Sequence, residues 1–440
     1  MSSSTNSVTL VHSASQLVQV VADGRTRLRG SEMRHPVVHG EPGINYALAF
    51  DMASGRIVDL GPTAAVESRL QASGCTVQTR VDATDCVIMP GFVDAHTHPV
   101  WAGDRVHEFA MKLAGATYMD IHAAGGGIHF TVRETARATD RELADLLSSR
   151  LASMSRHGTT LAEVKSGYGL TLDAELRLLQ LLCDAAADPL CPVRLSVTYL
   201  AGHAVPPGRD SAEFAAEVAS EHVPRVLAER KISGRLSAVR QIDVFCERGV
   251  LNAAESARIL EAALPDLRGN VHADELSDQD GAAMACRSGA AAASHLEFVS
   301  ESGISAMASN DCSPVAVLLP TTARLLHLPA PPARRMIDSG CAVGLGSDFN
   351  PNAHCLSMPL IGHMACVDFG LSMEEALAAC TINAAAALGL SDQTGSLEVG
   401  KLADFVLLRA PRWEHAFYQV GDSDSLVKLV CCGGRLVKKG

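Results

Sequence analysis

Two histidines separated by a single residue, His96 and His98, follow an apolar stretch of the chain. On an extended segment, residues two apart point to the same side, so both imidazoles face one way. Imidazole nitrogens are common ligands of transition metals, and the pair predicts half of a metal site. Such a pair alone is equally compatible with an ordinary polar strand end. The preceding sequence PGFVD at residues 90–94 favours the metal.

Two residues further along the chain complete this predicted site. His272 and Asp348 each follow an apolar segment, and they add one neutral nitrogen and one hard carboxylate. Three histidines and one aspartate, with room left for water, suit Zn²⁺ or iron (Fe²⁺/Fe³⁺), and the ligand types do not choose between them. We therefore expect one divalent metal ion per subunit.

Catalytic side chains are predicted beside this metal. Glu275, three residues after His272, is expected to shuttle protons for an activated water together with Asp348. The alternative is a glutamate that offsets a helix dipole. His295 is expected to polarise a substrate oxygen or to steady the water, and the alternative is a core histidine bonded to backbone. Lys165 is expected to be structural rather than a bridge between two metals.

The elements between these residues alternate in a regular way. Eight apolar segments read as strands, each followed by a helix or loop, and this repetition predicts a parallel (β/α)₈ TIM barrel. The predicted strands cover residues 86–89, 160–164, 194–200, 241–245, 269–272, 290–295, 314–319 and 342–346. An open doubly wound sheet is the alternative, but it needs a phosphate-binding glycine fingerprint after an early strand, and the sequence has none there. In a barrel, the candidate residues share the C-terminal rim.

Both ends of the chain read as β-structure. The first ninety residues look all-β, with strands at 47–51 and 56–60, and strands return at 405–408 and 426–437. Because chain ends often lie close together, we predict a small composite β-sandwich domain from residues 1–89 plus 400–440, with the barrel at 90–399. A long helix is predicted at 372–388.

Composition excludes several functions. The 440 residues carry 37 Lys and Arg against 49 Asp and Glu, a net charge of −12, and only 4% are aromatic. An acidic chain poor in aromatics is a weak candidate for binding nucleic acid or anionic membranes. No apolar run is long enough for a membrane span, and thirteen scattered cysteines are typical of reduced thiols in the cytoplasm.

Several motifs together carry a resemblance over nearly the whole chain. They are PGFVDAHTHPVWAGDR (90–105), EVKSGYGL (163–170), GHAVP (202–206), DVFCE (243–247), HADE (272–275), VLLPTT (317–322), SDFNP (347–351) and GSLEVGKLADFVL (395–407). By these motifs the chain resembles the amidohydrolase superfamily and, more narrowly, the imidazolonepropionase family. EVKSGYGL, GHAVP and SDFNP in combination are the most specific.

The resemblance implies a function and a set of contacts. It implies hydrolysis of the cyclic amide of 4-imidazolone-5-propanoate to N-formimino-L-glutamate, a step of histidine degradation, in a cytoplasmic homodimer that uses a single zinc or iron. It places the metal on His96, His98, His272 and Asp348. The substrate contacts fall on Arg105, Tyr168, His203, Glu275 and Asn350, with Tyr118 as a further pocket residue. Arg105 is expected to bind the propionate carboxylate through two hydrogen bonds.

One stretch departs from the bacterial pattern of that family. After Asn350 and Pro351 the bacterial pattern has Gly and then Ser or Thr, whereas this chain has Asn352 and Ala353 and is closer to the animal-type branch. The hydroxyl contact is therefore lost at Ala353, and the backbone of Asn352 is the expected substitute. Two other functions stay open: a purine or pyrimidine deaminase of the same superfamily, and a non-enzymatic barrel that serves as an assembly protein.

Overall fold

The computed structural model describes residues 7–115 and 126–437, so the predicted pocket residue Tyr118 lies outside the described residues. Strands are numbered in chain order: β1 (Ser7–Ala14), β2 (Gln16–Val20), β3 (Val37–His39), β4 (Tyr46–Asp51), β5 (Ile57–Pro62), β6 (Thr76–Asp82), β7 (Val87–Pro90), β8 (Phe92–Asp94), β9 (Thr159–Lys165), β10 (Arg194–Gly202), β11 (Val239–Cys246), β12 (Arg268–Ala273), β13 (Ala292–His295), β14 (Val315–Leu318), β15 (Val343–Leu345), β16 (Phe405–Leu408), β17 (Val427–Cys432) and β18 (Arg435–Val437).

The α-helices of the described residues are Thr63–Ala72, Val106–Leu113, Ile128–Arg137, Asp140–Arg156, Leu172–Ala187, Ser211–Glu217, Val223–Ala228, Ala253–Ala263, Gly281–Arg287, Glu301–Met307, Pro320–Leu325, Ala333–Asp338, Met358–Asp368, Met373–Ala379, Ile382–Ala387, His415–Tyr418 and Ser423–Leu426. Short 3₁₀ or π turns cover Gly30–Arg34, Val218–His222, Glu229–Ser233 and Val420–Asp422. Within this described part of the chain, no helix combines the length and apolar character that crossing a bilayer requires.

Strands β8 to β15 form one parallel sheet in which each strand pairs with the next along the chain. Their segments just beyond the sheet close the ring. Thr97 pairs in parallel with Phe349, and the amide of Asp348 donates to the carbonyl of His96 over 2.9 Å. The predicted (β/α)₈ barrel is thus confirmed. Its closure brings the first and last strand ends together, which is where His96, His98 and Asp348 lie.

The sequence explains why these elements form. Parallel barrel strands are covered on both faces and read as unbroken apolar runs, as in the buried VAVL of β14. The surrounding helices are amphipathic instead. Asp140–Arg156 buries Leu143, Leu147 and Leu151 along one side, and it begins at a capping box in which Thr139 and Glu142 bond each other's backbone.

Strands from both chain ends build two smaller sheets, in the orders β5-β4-β1-β6 and β18-β17-β16-β7-β2-β3. Their facing sides share an apolar core in which the rings of Phe50 and Phe405 lie 6.0 Å apart. The chain termini therefore meet in a sandwich, as expected. The division at residues 89/90 and 399/400 stays a prediction.

Three elements differ from the sequence-based expectations. The segment predicted as the first barrel strand is β7 of the small sheet, and the barrel starts at β8. Gly91 separates the two strands at a point where a side chain would collide with Thr160, with a Cβ only 2.2 Å from its methyl carbon. The apolar run continues through the break, so the pattern does not reveal it. Thr63–Ala72 is a helix in the region expected to be all-β, and Thr381 interrupts the helix predicted at 372–388.

The buried side chain of Asn383 joins the N-terminal segment to the barrel. Its oxygen accepts from the amide of Leu28 over 2.8 Å, and its nitrogen donates to the carbonyls of Leu28 and Val343 over 2.9 and 2.8 Å. Asn383→Ala is expected to lower the free energy of unfolding by about 2 kcal/mol, because buried backbone groups lose their partners. Denaturant unfolding measures this, with the exposed Gln71→Ala as the matched control. Equal stability of the two variants would contradict the prediction.

Candidate metal centre and active site

Three histidine side chains converge at the C-terminal rim of the barrel. The Nε2 atom of His96 lies 3.2 Å from that of His98 and 3.0 Å from that of His272, and the last two are 3.4 Å apart. Asp348 Oδ1 lies 3.6 Å from His96 Nε2 and 3.3 Å from His98 Nε2. All four residues are buried. The predicted ligands are therefore together in space, with their ligand atoms turned inward.

These separations match a metal polyhedron better than a hydrogen-bond network. A tetrahedral ion with ligands at about 2.0–2.1 Å holds them about 3.3 Å apart. Burial also lowers the pKa of His98 to about 4 and that of His96 well below its usual value, so both are neutral with lone pairs for a metal. The three histidines form a group that can hold a metal ion, which indicates a divalent metal site.

Asp348 is positioned by the closure of the barrel. It follows β15 with a φ of +47°, an unusual conformation for a residue with a side chain. Thr322 donates a hydrogen bond to its second oxygen. Burial alone would raise the pKa of Asp348, but the adjacent His98 imidazole and the hydrogen bond from Thr322 outweigh it and hold the pKa well below its usual range. The carboxylate therefore stays ionised.

A chain of buried charges supports His272 from below. Its Nδ1 lies 3.1 Å from Asp243 Oδ1, and Lys165 Nζ donates to Asp243 Oδ2 over 2.6 Å and to Glu163 Oε1 over 2.7 Å. Thr198 and Asn270 donate to the same Glu163 oxygen. Lys165 is fully buried and fully engaged in this network, so its ammonium acts as a structural counter-ion in agreement with the sequence-based expectation.

Glu275 and His295 lie side by side next to the histidines. Glu275 Oε2 is 3.7 Å from His295 Nε2, and the His295 ring centroid is 5.3 Å from that of His272. Burial raises the pKa of Glu275 well above its usual value, and the nearby carboxylates add to this. Burial also lowers the pKa of His295 to about 3. A buried carboxyl beside a neutral imidazole is suited to proton transfer.

The predicted substrate contacts surround this centre unevenly. His203 stacks on His98 with ring centroids 5.1 Å apart, and Tyr168 lies 5.2 Å from His203. Tyr168 is carried by a loop whose amides, at Gly167, Gly169 and Leu170, all donate to the buried carboxylate of Glu175. Both predicted aromatic contacts are thus held against the metal ligands.

Arg105 is anchored from one side. One of its guanidinium nitrogens donates to Glu108 over 2.6 Å, and the other oxygen of Glu108 accepts from the amide of Gly127 over 2.8 Å. The buried Nε of Arg105 has no hydrogen-bond partner among the described residues. Burial raises the pKa of the Tyr168 hydroxyl, and the positive charge of Arg105 opposes that rise.

Asn350 and Asn352 are both occupied by contacts within the protein. Asn350 Oδ1 accepts from the amides of Asn352 and Ala353, and its side-chain nitrogen donates to the carbonyl of Asp348. The side chain of Asn352 accepts from Lys112. Asn350 therefore shapes the loop that follows the Asp348 ligand, and its side-chain amide is already committed there.

Three residues that support the site, Asp243, Glu247 and Glu108, had no role predicted from the sequence. Asp243 and Glu247 stood at a strand end without an assigned partner. Glu247 accepts hydrogen bonds from the amides of Leu276 and Ser277 and so fixes the loop that bears Glu275. Their position in DVFCE, directly after an apolar strand, is a usable signal. Nothing but the three-residue spacing from Arg105 points to Glu108.

Known proteins of the amidohydrolase family resemble this chain in sequence. The model of the amidohydrolase family matches residues 253–437. A Mus musculus protein named "Probable imidazolonepropionase" is 49% identical over 431 residues, which cover 98% of each chain. The Homo sapiens protein of that name is 48% identical with the same coverage. A Dictyostelium discoideum protein of that name is 46% identical and covers 94% of each chain.

Solved structures share the fold at low identity. E. coli guanine deaminase is 18% identical with a TM-score of 0.65, and the match covers 98% of this chain and 99% of that one. A. niger ochratoxinase is 17% identical with a TM-score of 0.66, and the match covers 98% and 96%. At such identities the likeness concerns the architecture of barrel and accessory sheets.

The contact between His272 and Asp243 leads to a prediction about metal affinity. Asp243→Asn keeps the shape but removes the charge that orients the ring, so metal binding is expected to weaken about 10- to 100-fold. Competition with a chelator measures the affinity directly, without any assay of turnover. Asp145→Asn, on an exposed helix surface, is the control. A thermal melt checks that the variant is folded, and unchanged affinity in a folded variant would refute the role of Asp243.

Proposed function

The chain belongs to the imidazolonepropionase family of the amidohydrolases, and on this premise we propose how its site works. The protein hydrolyses the cyclic amide of 4-imidazolone-5-propanoate to N-formimino-L-glutamate, a reaction of histidine degradation. The observation that carries the mechanism is the convergence of four ligand atoms beside Glu275 and His295. We propose that His96, His98, His272 and Asp348 hold one divalent metal ion, Zn²⁺ or iron.

When bound, such an ion supplies an activated water at neutral pH and polarises a carbonyl oxygen. The donor set fits this task, since three neutral imidazoles and one carboxylate leave room for water. Two polar side chains hold the outer nitrogens of the ligand histidines: Asp243 contacts Nδ1 of His272, and Ser294 Oγ lies 2.9 Å from Nδ1 of His96. The ligand types suit zinc and iron equally.

Glu275 is the proposed proton shuttle. Together with the ionised Asp348, it takes the proton from the attacking water, and it returns that proton to the ring nitrogen as the amide bond breaks. Two features support this role: Glu275 lies 3.7 Å from His295, whose ring packs against the ligand His272, and Glu247 holds the loop of Glu275. A carboxyl whose pKa is raised by burial can both accept and return a proton near neutral pH.

His295 is proposed to stabilise the negative charge that develops on the carbonyl oxygen. Its ring is neutral and buried next to His272, so a proton on Nε2 can be donated to that oxygen. A fixed donor in a dry site costs no reorganisation at the moment of reaction. The same nitrogen faces Glu275, which ties the two catalytic side chains into one pair.

Substrate is proposed to bind through its propionate and its ring. Arg105 pairs with the carboxylate, while Glu108 fixes the orientation of the guanidinium. Tyr168 and His203 contact the ring from the side of His98. Asn350 and the backbone of Asn352 shape the loop after Asp348. By family resemblance we also propose a cytoplasmic homodimer.

A deaminase of the same superfamily is the weaker alternative. Its support is the shared fold, whereas relatives at 46–49% identity over nearly the whole chain are named as probable imidazolonepropionases. A non-enzymatic barrel is disfavoured by the complete and buried ligand set.

Purified protein is expected to consume 4-imidazolone-5-propanoate, which is followed by the loss of its ultraviolet absorbance. Dialysis against a chelator should abolish turnover, and added Zn²⁺ or Fe²⁺ should restore it, because the water is activated by the metal. Elemental analysis before and after dialysis gives the stoichiometry, expected at one ion per chain. Failure of the metal-loaded protein to consume this compound would overturn the proposed function.

Arg105→Gln is expected to lower kcat/KM for 4-imidazolone-5-propanoate about 30- to 150-fold, mainly through KM. The loss of charged hydrogen bonds to a carboxylate amounts to about 2–3 kcal/mol. Steady-state kinetics measure the effect, and Arg141→Gln on the outer surface is the control. A neutral nucleobase would not need this cation, so an unaffected KM together with deaminase turnover would favour the alternative.

A further inference from the structure

Glu297 is a buried carboxyl that the mechanism above does not use. It follows His295 by two residues, and its side chain is fully shielded from solvent. Neither of its oxygens has a hydrogen-bond partner among the described residues, and the same holds for His295 Nδ1. Glu297 Oε2 and His295 Nδ1 lie 3.9 Å apart. Two buried groups that lack partners thus face each other beside the metal centre.

The backbone is built to bring them together. His295 and Leu296 have φ values of +78° and +70°, a left-handed conformation that costs about 1 kcal/mol or more for residues with side chains. The turn is held in place because the amide of Leu296 donates to Ala273 and that of Phe298 donates to Asp274. The strained turn folds Glu297 back towards the ring it follows and anchors both to the loop that carries Glu275.

Charge decides which of the two groups carries the proton. The His295 ring is buried, and the nearest carboxyl oxygens, of Glu275 and Glu297, lie beyond hydrogen-bond distance at 3.7 and 3.9 Å, so the ring is neutral and holds one proton on one of its two nitrogens. Burial raises the pKa of Glu297 to about 8, with repulsion from Asp348 and Glu247 in the same direction. At neutral pH the carboxyl is therefore protonated and can donate a hydrogen bond.

We propose that Glu297 is a positioning residue: its neutral carboxyl group donates a hydrogen bond to Nδ1 of His295 and thereby keeps the ring proton on Nε2. This rests on the proposed role of His295 as a donor to the substrate oxygen. The tautomer of a histidine is set by the bond that its other nitrogen makes. A rotation of either side chain shortens the 3.9 Å separation to a hydrogen bond, and catalytic contacts commonly tighten when substrate binds.

The Glu297 carboxyl donates a hydrogen bond when it is protonated and can only accept one when it is ionised. Above about pH 8 the Glu297 carboxyl loses its proton and can only accept, which moves the ring proton to Nδ1 and removes the donor on Nε2. The ionisable groups that face this pair are Glu275 from the loop after β12, Glu247 from the loop after β11, Asp348 after β15, and His98, His272 and Asp243 beside the His295 ring. The activity should therefore fall on the alkaline side with the titration of Glu297.

The experiment compares wild type with Glu297→Gln and Glu297→Leu in metal-loaded protein. The glutamine amide always donates, so kcat at pH 7 should stay within about threefold of wild type and the alkaline loss near pH 8 should disappear. Leucine removes the donor, and kcat should fall about 100-fold, in the range of other lost proton-transfer partners, while KM and metal content change little. Glu301→Gln, exposed on the following helix, is the control.

Nitrogen-15 spectra of labelled histidines provide a second readout that does not need turnover. His295 is assigned by its absence in His295→Gln, and its proton should sit on Nε2 in wild type and in Glu297→Gln. Full kcat in Glu297→Leu, an alkaline loss that persists in Glu297→Gln, or a proton on Nδ1 in wild type at pH 7 would each overturn the proposal. Absence of turnover in wild type would overturn the proposed function instead, and the spectra would still decide the role of Glu297.

Discussion

The closure of the barrel is the constraint on which the rest of the structure depends. The hydrogen bond from the amide of Asp348 to the carbonyl of His96 joins the first strand end to the last. It places a carboxylate against two imidazoles that are about 250 residues earlier in the chain. Asp94 strengthens the same seam, because it accepts hydrogen bonds from both the amide and the hydroxyl of Ser347. A slip of one residue here would turn Asp348 out of the site.

Much of the barrel and its ligands could be predicted from the sequence, because both follow from local patterns. Apolar strands have an unmistakable composition, and their ends share one rim in any parallel barrel, so His96, His98, His272 and Asp348 could be grouped without coordinates. The break at Gly91 could not be found, since β7 and β8 are one continuous apolar run divided between two sheets. Pairing with β16, some three hundred residues later, decides where β7 belongs.

The side chains that hold the ligands in place could not be predicted from the sequence, for a different reason. Asp243 is distant along the chain from Glu163 and Lys165, and only the neighbouring positions of β9, β10 and β11 bring the three into one ion cluster. Glu108 has an ordinary helical spacing from Arg105. Whether such a residue is a surface charge or a buried anchor depends on what covers it, which no local pattern encodes.

The acidic net charge of the chain alone would oppose the binding of an anionic substrate, but the charges within the site remove this conflict. A protein with a net charge of −12 binds an anionic substrate at a rim lined with carboxyl groups. Those groups are not equivalent. His272 and Lys165 hold the pKa of Asp243 well below its usual range against the effect of burial, while burial raises the pKa values of Glu275 and Glu297. The negative charge that remains is matched by Lys165 below and by the proposed cation among the histidines, and Arg105, which Glu108 anchors, is proposed to bind the substrate carboxylate. The local pairing of these groups, rather than the net charge, therefore determines which ligand the site can bind.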